Sequence, residues 1–573
     1  MDALTACLGD LIDGLVAGGV REAVVTPGSR STPLALLMAR EPRVRVWMHY
    51  DERSAGYFGL GLADALGEPV ALVCTSGTAA ANFLPAVVEA SLAGLPLVVL
   101  TADRPPELRE VGAPQTIEQR HLYGTHARWF YECPLPDPEL AERRVFGRAG
   151  ERAARRTREA APGPVHVNVP LREPLLPAAE AAPARTAEPW PAPVGAPVSL
   201  APLVARLRGR RGVVVAGASD VSGGAAAILS LADALAWPVL ADPLANLREP
   251  YANRVLAHHD LWLRGRAAEA LRPEAAVRFG APPVSKVLNQ WLSGVETVVV
   301  DVAGRHRDPT FSGRAEIPVT SFAALEPVAG MAHTTGPWLV RWRACERAAG
   351  ERLASALAEL PNAGASFEGR LWSELGPALA GYQALLVGNS MPVRDMDSFF
   401  PGAWSRLPVY GQRGASGIDG VLSHAMGLAA GRGRTLAVLG DLSFYHDMNG
   451  LLAAHLNRLP ATVVVINNRG GGIFSLLPQR RELPEDEFER LFGTPHALDF
   501  EAAARVYGVG YARFDDVSSL IAAVAEAAGS PGTVLLEWDV GSRAANADWH
   551  GHVARAVARA AEAVLGVVSH ADD

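Results

Sequence analysis

The sequence predicts an α/β protein built from three consecutive doubly wound parallel-sheet domains. Two observations carry this prediction. Short apolar runs rich in β-branched residues alternate with segments whose apolar positions recur at helical spacing. The alternation is interrupted twice, by a Pro/Ala-rich stretch at 174–202 and by an Arg-rich helical connection at 332–364. The expected domains are therefore 1–180, 195–340 and 365–573. A chain of 573 residues, 49% hydrophobic and 20% charged, has ample material for globular cores.

In the first segment, strands are expected at 23–26, 44–49, 70–74, 97–100 and 165–169, and helices at 34–40, 55–66, 79–93 and 139–161. Four of the strands run into polar turns: TPGSRSTP (26–33), HYDERSAG (49–56), TSGTAAAN (75–82) and TADRPPEL (101–108). In a parallel sheet these turns leave one edge, the edge where open α/β sheets bind ligands. Arg30, Glu52 and Arg104 on that edge read as the rim of a site.

The middle segment offers strands at 212–216, 275–279 and 297–302. Its turn AGASDVSGG (216–224) lacks the G-x-G-x-x-G spacing of a dinucleotide loop, so no nucleotide is expected there. The third segment places strands at 384–387, 409–410, 435–439, 462–466 and 533–538, and a closing amphipathic helix at 546–564. No short internal repeat is visible. Within it, 435–474 reads as strand, acidic turn, helix (449–459), strand, then Asn467-Asn468 and three consecutive glycines. Both strands of this βαβ unit deliver polar residues at their carboxyl ends. A carboxylate, an amide oxygen and a glycine-loop carbonyl are hard donors, suited to Mg²⁺ holding a phosphate ester.

A formal net charge of −8 excludes a general nucleic-acid binder and means that any anionic substrate must be met by a local cluster of cations. The four cysteines (Cys7, Cys74, Cys133, Cys345) are scattered without a CxxC pair, and no HExxH occurs among fifteen histidines. Reduced thiols in a cytoplasmic enzyme are expected, with neither a disulfide framework nor a zinc site. Residues 1–10 carry two acids and no base, unlike an export signal, and no apolar run is long enough for a membrane helix. Of 53 basic residues only Lys286 is a lysine. Codon bias explains the arginines; a surviving lysine can mark a place where a compact ammonium is required.

Gly440-Asp441, followed by Asn467-Asn468 across one helix, resembles the thiamine-diphosphate signature, with Leu442 where the motif usually has its last glycine. Further motifs narrow the resemblance: PGSRSTPL (27–34), DERSAG (51–56), CTSGTAAANFLPAVVEA (74–90), LTADRPPEL (100–108), GAPQTIEQ (112–119), GNSMPVRD (388–395), QRGASGIDG (412–420) and NNRGGGIFSLLPQ (467–479). Together they resemble the 2-succinyl-5-enolpyruvyl-6-hydroxy-3-cyclohexene-1-carboxylate synthases of menaquinone biosynthesis, a family that shares the Leu442 variant. The resemblance covers both outer domains and is weak in the middle one. It implies the thiamine-diphosphate-binding fold, with a pyrimidine-binding domain first and a diphosphate-binding domain last.

The implied activity is a transferase reaction. 2-Oxoglutarate is decarboxylated, and the succinyl carbanion equivalent is added to isochorismate. By the same resemblance Glu52 meets the aminopyrimidine of the cofactor, and Asp441, Asn468 and the Gly470 carbonyl hold Mg²⁺ or Mn²⁺. Ser76, Gly77, Ser390, Met391, Ile418, Gly440, Leu442, Ser443, Ile473 and Phe474 border the cofactor. Ser29, Arg30, Arg104, Gln115, Lys286, Ser390, Arg394, Arg413, Phe474 and Leu477 surround the substrates, with Arg30, Arg394 and Arg413 nearest the chemistry. At least a homodimer is implied, with Glu52 facing the cofactor of a partner subunit.

The chemistry wants these residue types. A glutamate in a poorly solvated setting can share a proton with the pyrimidine ring. Asp51 next door can cap the helix, which frees Glu52 from that task. Both substrates are dianions, and arginine forks answer carboxylates bidentately. Arg30, Arg104, Arg394 and Arg413 are each expected to leave a turn, not to lie on a helix face. The competing readings are another thiamine-diphosphate carboligase or 2-oxoacid decarboxylase, which would turn over pyruvate, and a non-catalytic protein that keeps the fold. Retention of Glu52 with Asp441 and Asn468 argues against the latter.

Overall fold

A computed structural model describes residues 2–178, 195–248, 254–302, 304–329, 336–360, 367–402 and 407–567. Most of the stretch expected as a linker, 179–194, lies outside them, as do parts of the 332–364 connection. The N-terminal sheet contains β1 (Glu22–Val25), β2 (Arg45–Met48), β3 (Val70–Cys74), β4 (Leu97–Asp103), β5 (Phe130–Glu132) and β6 (Val165–Pro170). A short pair, β7 (Val198–Ser199) with β14 (Leu325–Glu326), flanks the middle sheet. That sheet contains β8 (Gly212–Ala216), β9 (Val239–Ala241), β10 (Val255–Leu256), β11 (Ala275–Phe279), β12 (Glu296–Val302) and β13 (Gly313–Val319). The C-terminal sheet contains β15 (Ala384–Val387), β16 (Val409–Tyr410), β17 (Thr435–Gly440), β18 (Ala461–Asn467), β19 (Gly510–Phe514) and β20 (Val534–Asp539).

The three sheets run β2-β1-β3-β4-β6-β5, β10-β9-β8-β11-β12-β13 and β16-β15-β17-β18-β20-β19, and every pairing is parallel. The first and third sheets thus share one topology, a repeat that no sequence period betrays. The middle sheet has the strand order of dinucleotide-binding folds. Its first βα turn nevertheless packs straight onto the turn after β11: a Cβ at Gly217 would lie 1.6 Å from the Ala281 carbonyl oxygen.

The central strands of all three sheets are fully buried, as near-continuous apolar runs require. The strands not expected from sequence include the edge strands β5, β13 and β19, whose residues are half exposed and carry no apolar run. The first helix, Ala3–Ala17, was also not expected. The expected helix 79–93 breaks at Phe83, where Pro85 in the next first turn cannot continue the hydrogen-bond ladder. The expected helix 139–161 is two helices, Pro138–Glu142 and Val145–Arg156, separated where Arg144 takes a positive φ.

The outer domains meet through two helices, Glu52–Leu66 and Val421–Arg432. Their crossing is so close that a Cβ on Gly61 would lie 2.2 Å from the His424 carbonyl oxygen, and one on Gly427 would lie 2.1 Å from that of Phe58. Among the described residues no helix is long and apolar enough to cross a membrane.

Candidate functional site

The C-terminal half of the site forms where the strand order reverses, between β15 and β17. Asp441 follows the last residue of β17 and opens the short helix Asp441–His446, so it starts a helix and is not in a free turn. It is 2% exposed. One carboxylate oxygen accepts from the Leu442 N–H at 2.7 Å; the other accepts from the Gly470 N–H at 2.9 Å and lies 3.1 Å from His496 Nε2. Gly470 has a φ of 146°, and a Cβ there would lie 2.1 Å from the Gly493 carbonyl oxygen, so only glycine brings this loop to Asp441.

The two asparagines after β18 do different things. Asn467 donates to Glu537 at 2.7 Å and accepts from the Arg469 N–H, which consumes both ends of its amide. Asn468 donates Nδ2–H to Glu368 at 2.9 Å, while its buried Oδ1 has no hydrogen-bond partner. An orphaned buried acceptor beside a carboxylate and a glycine loop fits a hard cation. Among the described residues no group of three His, Cys, Asp or Glu is placed to hold a metal. A metal here would rest on one carboxylate plus amide and carbonyl oxygens. Burial, reinforced by the nearby Asp395 charge, pushes Glu368 up to about 8.

Around this centre, Ser443 donates to the Ile418 carbonyl at 3.0 Å, which joins the two segments. Ser390, with a φ of 71°, precedes the helix Met391–Phe399. Arg394 lies inside that helix, contrary to the expectation that it leaves a turn; its guanidinium turns back to the Ser390 carbonyl. Arg413 donates to Asn389 Oδ1 at 2.7 Å, and Asn389 in turn donates to the Gln412 and Gly417 carbonyls. Burial lowers the pKa of both Arg394 and Arg413, and Arg394 lowers that of Arg413 further, as expected of cations held close together. Ile473, Phe474 and Leu477 are half exposed on and just beyond the turn Gly472–Leu476 and are not core.

The N-terminal half begins at Glu52, the first residue of its helix. Asp51 caps that helix, accepting from the Arg53 and Ser54 N–H groups at 2.9 and 3.2 Å. Glu52 is thereby free of capping duty, and burial followed by the Asp51 charge raises its pKa. The residues on either side of Glu52 grip the C-terminal domain of the same chain. Asp51 accepts from Asn449 at 2.9 Å, Arg53 donates to the His446 carbonyl at 2.8 Å, and Tyr57 bonds Asp419. Within one copy the start of the Glu52 helix is thereby tied to the end of the Asp441 helix and to the residues after it.

Across the N-terminal sheet edge, Arg104 donates to Ser76 Oγ at 2.6 Å and to the Pro114 carbonyl at 2.8 Å. A Cβ on Gly77 would lie 3.2 Å from the Gln115 carbonyl oxygen, so the two turns pack closely there. Arg30 is 7% exposed, donates to the Leu171 carbonyl at 3.0 Å, and keeps its buried Nε without a partner. Burial and the neighbouring Arg30 charge lower the pKa of Arg104. Ser29 is exposed on the same turn. Lys286 stands apart from these groups, exposed at the start of the helix Lys286–Leu292 in the middle domain.

Three family models match the chain in order: the thiamine pyrophosphate enzyme N-terminal TPP binding domain over residues 9–122, the middle domain of thiamine pyrophosphate enzymes over 186–363, and the C-terminal TPP binding domain over 408–538. A protein of Geobacillus kaustophilus named 2-succinyl-5-enolpyruvyl-6-hydroxy-3-cyclohexene-1-carboxylate synthase is 44% identical over 98% of this chain and 100% of its own length. The chain belongs to that family. Relatives of the same name are 45% identical in Chloroflexus aurantiacus, over 91% of each chain, and 46% identical in Geobacillus thermodenitrificans, over 89% of each.

Within a synthase of this family, several residues beyond those marked by sequence now have places. Glu368 behind Asn468 and His496 beside Asp441 carry no motif and lie far in the chain from the residues they touch. Asn389 and Gln119 did sit in motifs. Gln119 is buried, accepts from the Gly77 N–H at 2.8 Å, and donates to Asn168, so it holds the Ser76 turn. Its spacing from Gln115 was the one available signal.

Proposed function

We propose that the chain is a thiamine-diphosphate-dependent transferase that decarboxylates 2-oxoglutarate and joins the remaining four-carbon unit to isochorismate, as the name borne by its relatives describes. The observation that carries the reading is an unpartnered, buried Asn468 Oδ1 next to the loop that binds Asp441, in a chain whose N-terminal domain also keeps Glu52 free of capping duty with a raised pKa. Bound thiamine diphosphate supplies the electron sink for loss of carbon dioxide.

This chain's residues do the rest. Asp441, Asn468 and the Gly470 carbonyl hold Mg²⁺ or Mn²⁺ and, with Gly440, Leu442, Ser443, Ser390 and Met391, seat the diphosphate. Ile418, Ile473 and Phe474 flank the rings. Glu52 exchanges a proton with the pyrimidine, which its raised pKa favours. Arg30 with Arg104 and Arg394 with Arg413 form two cation pairs for dianions. Ser29, Ser76, Gly77, Gln115, Lys286 and Leu477 complete the walls.

Self-association to at least a dimer belongs to the proposal, as does a cytoplasmic setting. Large exposed side chains close in sequence to Glu52 and Asp441 support the former: Met48, Tyr50 and Tyr445. Incubation with thiamine diphosphate, Mg²⁺, 2-oxoglutarate and isochorismate tests the reading. Carbon dioxide and the coupled product, identified by mass spectrometry, should both form. Pyruvate turnover without the coupled product would overturn it.

A further inference from the structure

The motif CTSGTAAANFLPAVVEA (74–90) contains one acid, Glu89, to which neither the cofactor nor the substrates give a role. It lies on the helix Leu84–Ala93 of the N-terminal domain and is 2% exposed. Both of its carboxylate oxygens reach the C-terminal domain. One accepts from the Gly414 N–H at 2.8 Å and the other from the Ala415 N–H at 2.6 Å. These are the two residues that follow Arg413. A Cβ on Gly414 would lie 2.9 Å from the Glu89 carbonyl oxygen, so loop and helix also meet through backbone.

The loop 412–420 carries Arg413 near one end and Ile418 near the other. The Ile418 end has several ties: Asn389 donates to the Gly417 carbonyl at 2.7 Å, Ser443 to the Ile418 carbonyl at 3.0 Å, and Tyr57 bonds Asp419. Gln412 is held as well, since its carbonyl accepts from Asn389 at 2.9 Å and its side chain donates to the Gly420 carbonyl at 3.2 Å. Among the described residues, only Glu89 bonds Gly414 and Ala415. Ala415 and Ser416 are exposed, so packing does not hold this stretch within one copy.

Arg413 gives one N–H to Asn389 Oδ1 at 2.7 Å, and among the described residues it forms no ion pair with Glu89. The acid still acts on it through space. Burial and the Arg394 charge lower the pKa of Arg413, and the Asp242 and Glu89 charges oppose them. Glu89 thus steadies the cation without occupying it.

We propose that Glu89 is a positioning residue for Arg413: by holding the Gly414 and Ala415 N–H groups from another domain, it sets where the arginine fork meets a substrate carboxylate. Burying a carboxylate costs desolvation. Charge-assisted bonds to two successive N–H groups offset that cost and fix the backbone in place, which an apolar contact would leave free to slide. The inference rests on the reading given under Proposed function.

The test uses the full chain with thiamine diphosphate and Mg²⁺. Glu89→Ala should raise the KM for one of the dianionic substrates about tenfold or more, with kcat within about threefold of wild type. Thiamine diphosphate affinity, read by calorimetry, should stay within about twofold, because the Ile418 end keeps its own ties. Added to Arg413→Ala, Glu89→Ala should lower kcat/KM by less than about threefold further, since it acts through the arginine already removed. If Glu89→Ala does not fold, Gly414→Ala, which presses the loop off the helix from the other side, is read by the same criteria. A lowered Tm with unchanged KM, weakened cofactor binding in place of a raised KM, or effects that multiply in full with Arg413→Ala would overturn the positioning role. Failure of the underlying reading would show earlier, as absence of turnover by the wild-type chain.

Discussion

Asn468 gives its side-chain N–H to Glu368 at 2.9 Å and leaves its carbonyl oxygen, buried, with no partner. An amide pinned at one end cannot turn, so its free oxygen is aimed. Partners that orient metal ligands contribute about 10- to 100-fold in metal affinity. Glu368→Ala is expected to weaken Mg²⁺-dependent thiamine diphosphate binding by about that factor, read by titration calorimetry. Asp441→Ala should abolish it, because that substitution also releases the Gly470 loop. Unchanged affinity in both variants would refute the metal assignment.

Glu52 has no structural duty to lose. Asp51 caps the helix, and Asp51, Arg53 and Tyr57 make the contacts to the other domain. Glu52→Gln is therefore expected to fold with an unchanged Tm and to bind cofactor. Its turnover should fall by about 10²-fold or more, the usual worth of a placed proton-transfer group. Steady-state kinetics beside a cofactor titration checks this, and a wild-type rate would remove Glu52 from the mechanism.

The helix crossing at Gly61 and Gly427 tolerates no side chain. A methyl group at Gly61 meets a backbone carbonyl, which cannot rotate away as a side chain would. Gly61→Ala is expected to cost about 1–3 kcal/mol in a denaturant titration, the range for overpacked cores. Activity should fall with it, since Glu52 opens one of the two crossing helices.

His49 ends up 1% exposed with neither ring nitrogen paired. Burial lowers its pKa from 6.5 to about 4, with Asp51 opposing. The unfolded chain therefore binds a proton between about pH 6.5 and 4 that the folded chain refuses, and stability falls as pH falls through that window. The loss approaches about 3 kcal/mol below pH 4. His49→Phe removes the titration, so its stability relative to wild type should grow as pH drops from 7 to 4.5. A pH-independent difference would mean that His49 titrates normally.

Much of this was legible in the chain because buried parallel strands write themselves as apolar runs: Val70–Cys74, Gly212–Ala216, Ala275–Phe279 and Ala384–Val387 occur where expected, residue for residue. Edge strands such as Gly510–Phe514 were not legible, since half-exposed residues leave no such run. Arg394 was misplaced because Ser390, whose positive φ precedes the helix, reads like the middle of a turn. Glu368 and His496 were invisible for a different reason. A residue that supports another's side chain from 100 positions away, as Glu368 does, or from 55, as His496 does, follows no local spacing rule.

Strand-and-helix alternation, the three-part division and the family could be read from residue order alone, because periodicity and motif spacing are local properties of the chain. Which asparagine keeps a free oxygen and which acid caps the Glu52 helix emerge only in the folded protein. Those outcomes depend on which donors and acceptors remain unpaired after distant segments pack, and pairing inside a low-dielectric interior is settled by three-dimensional neighbours, not by order along the chain.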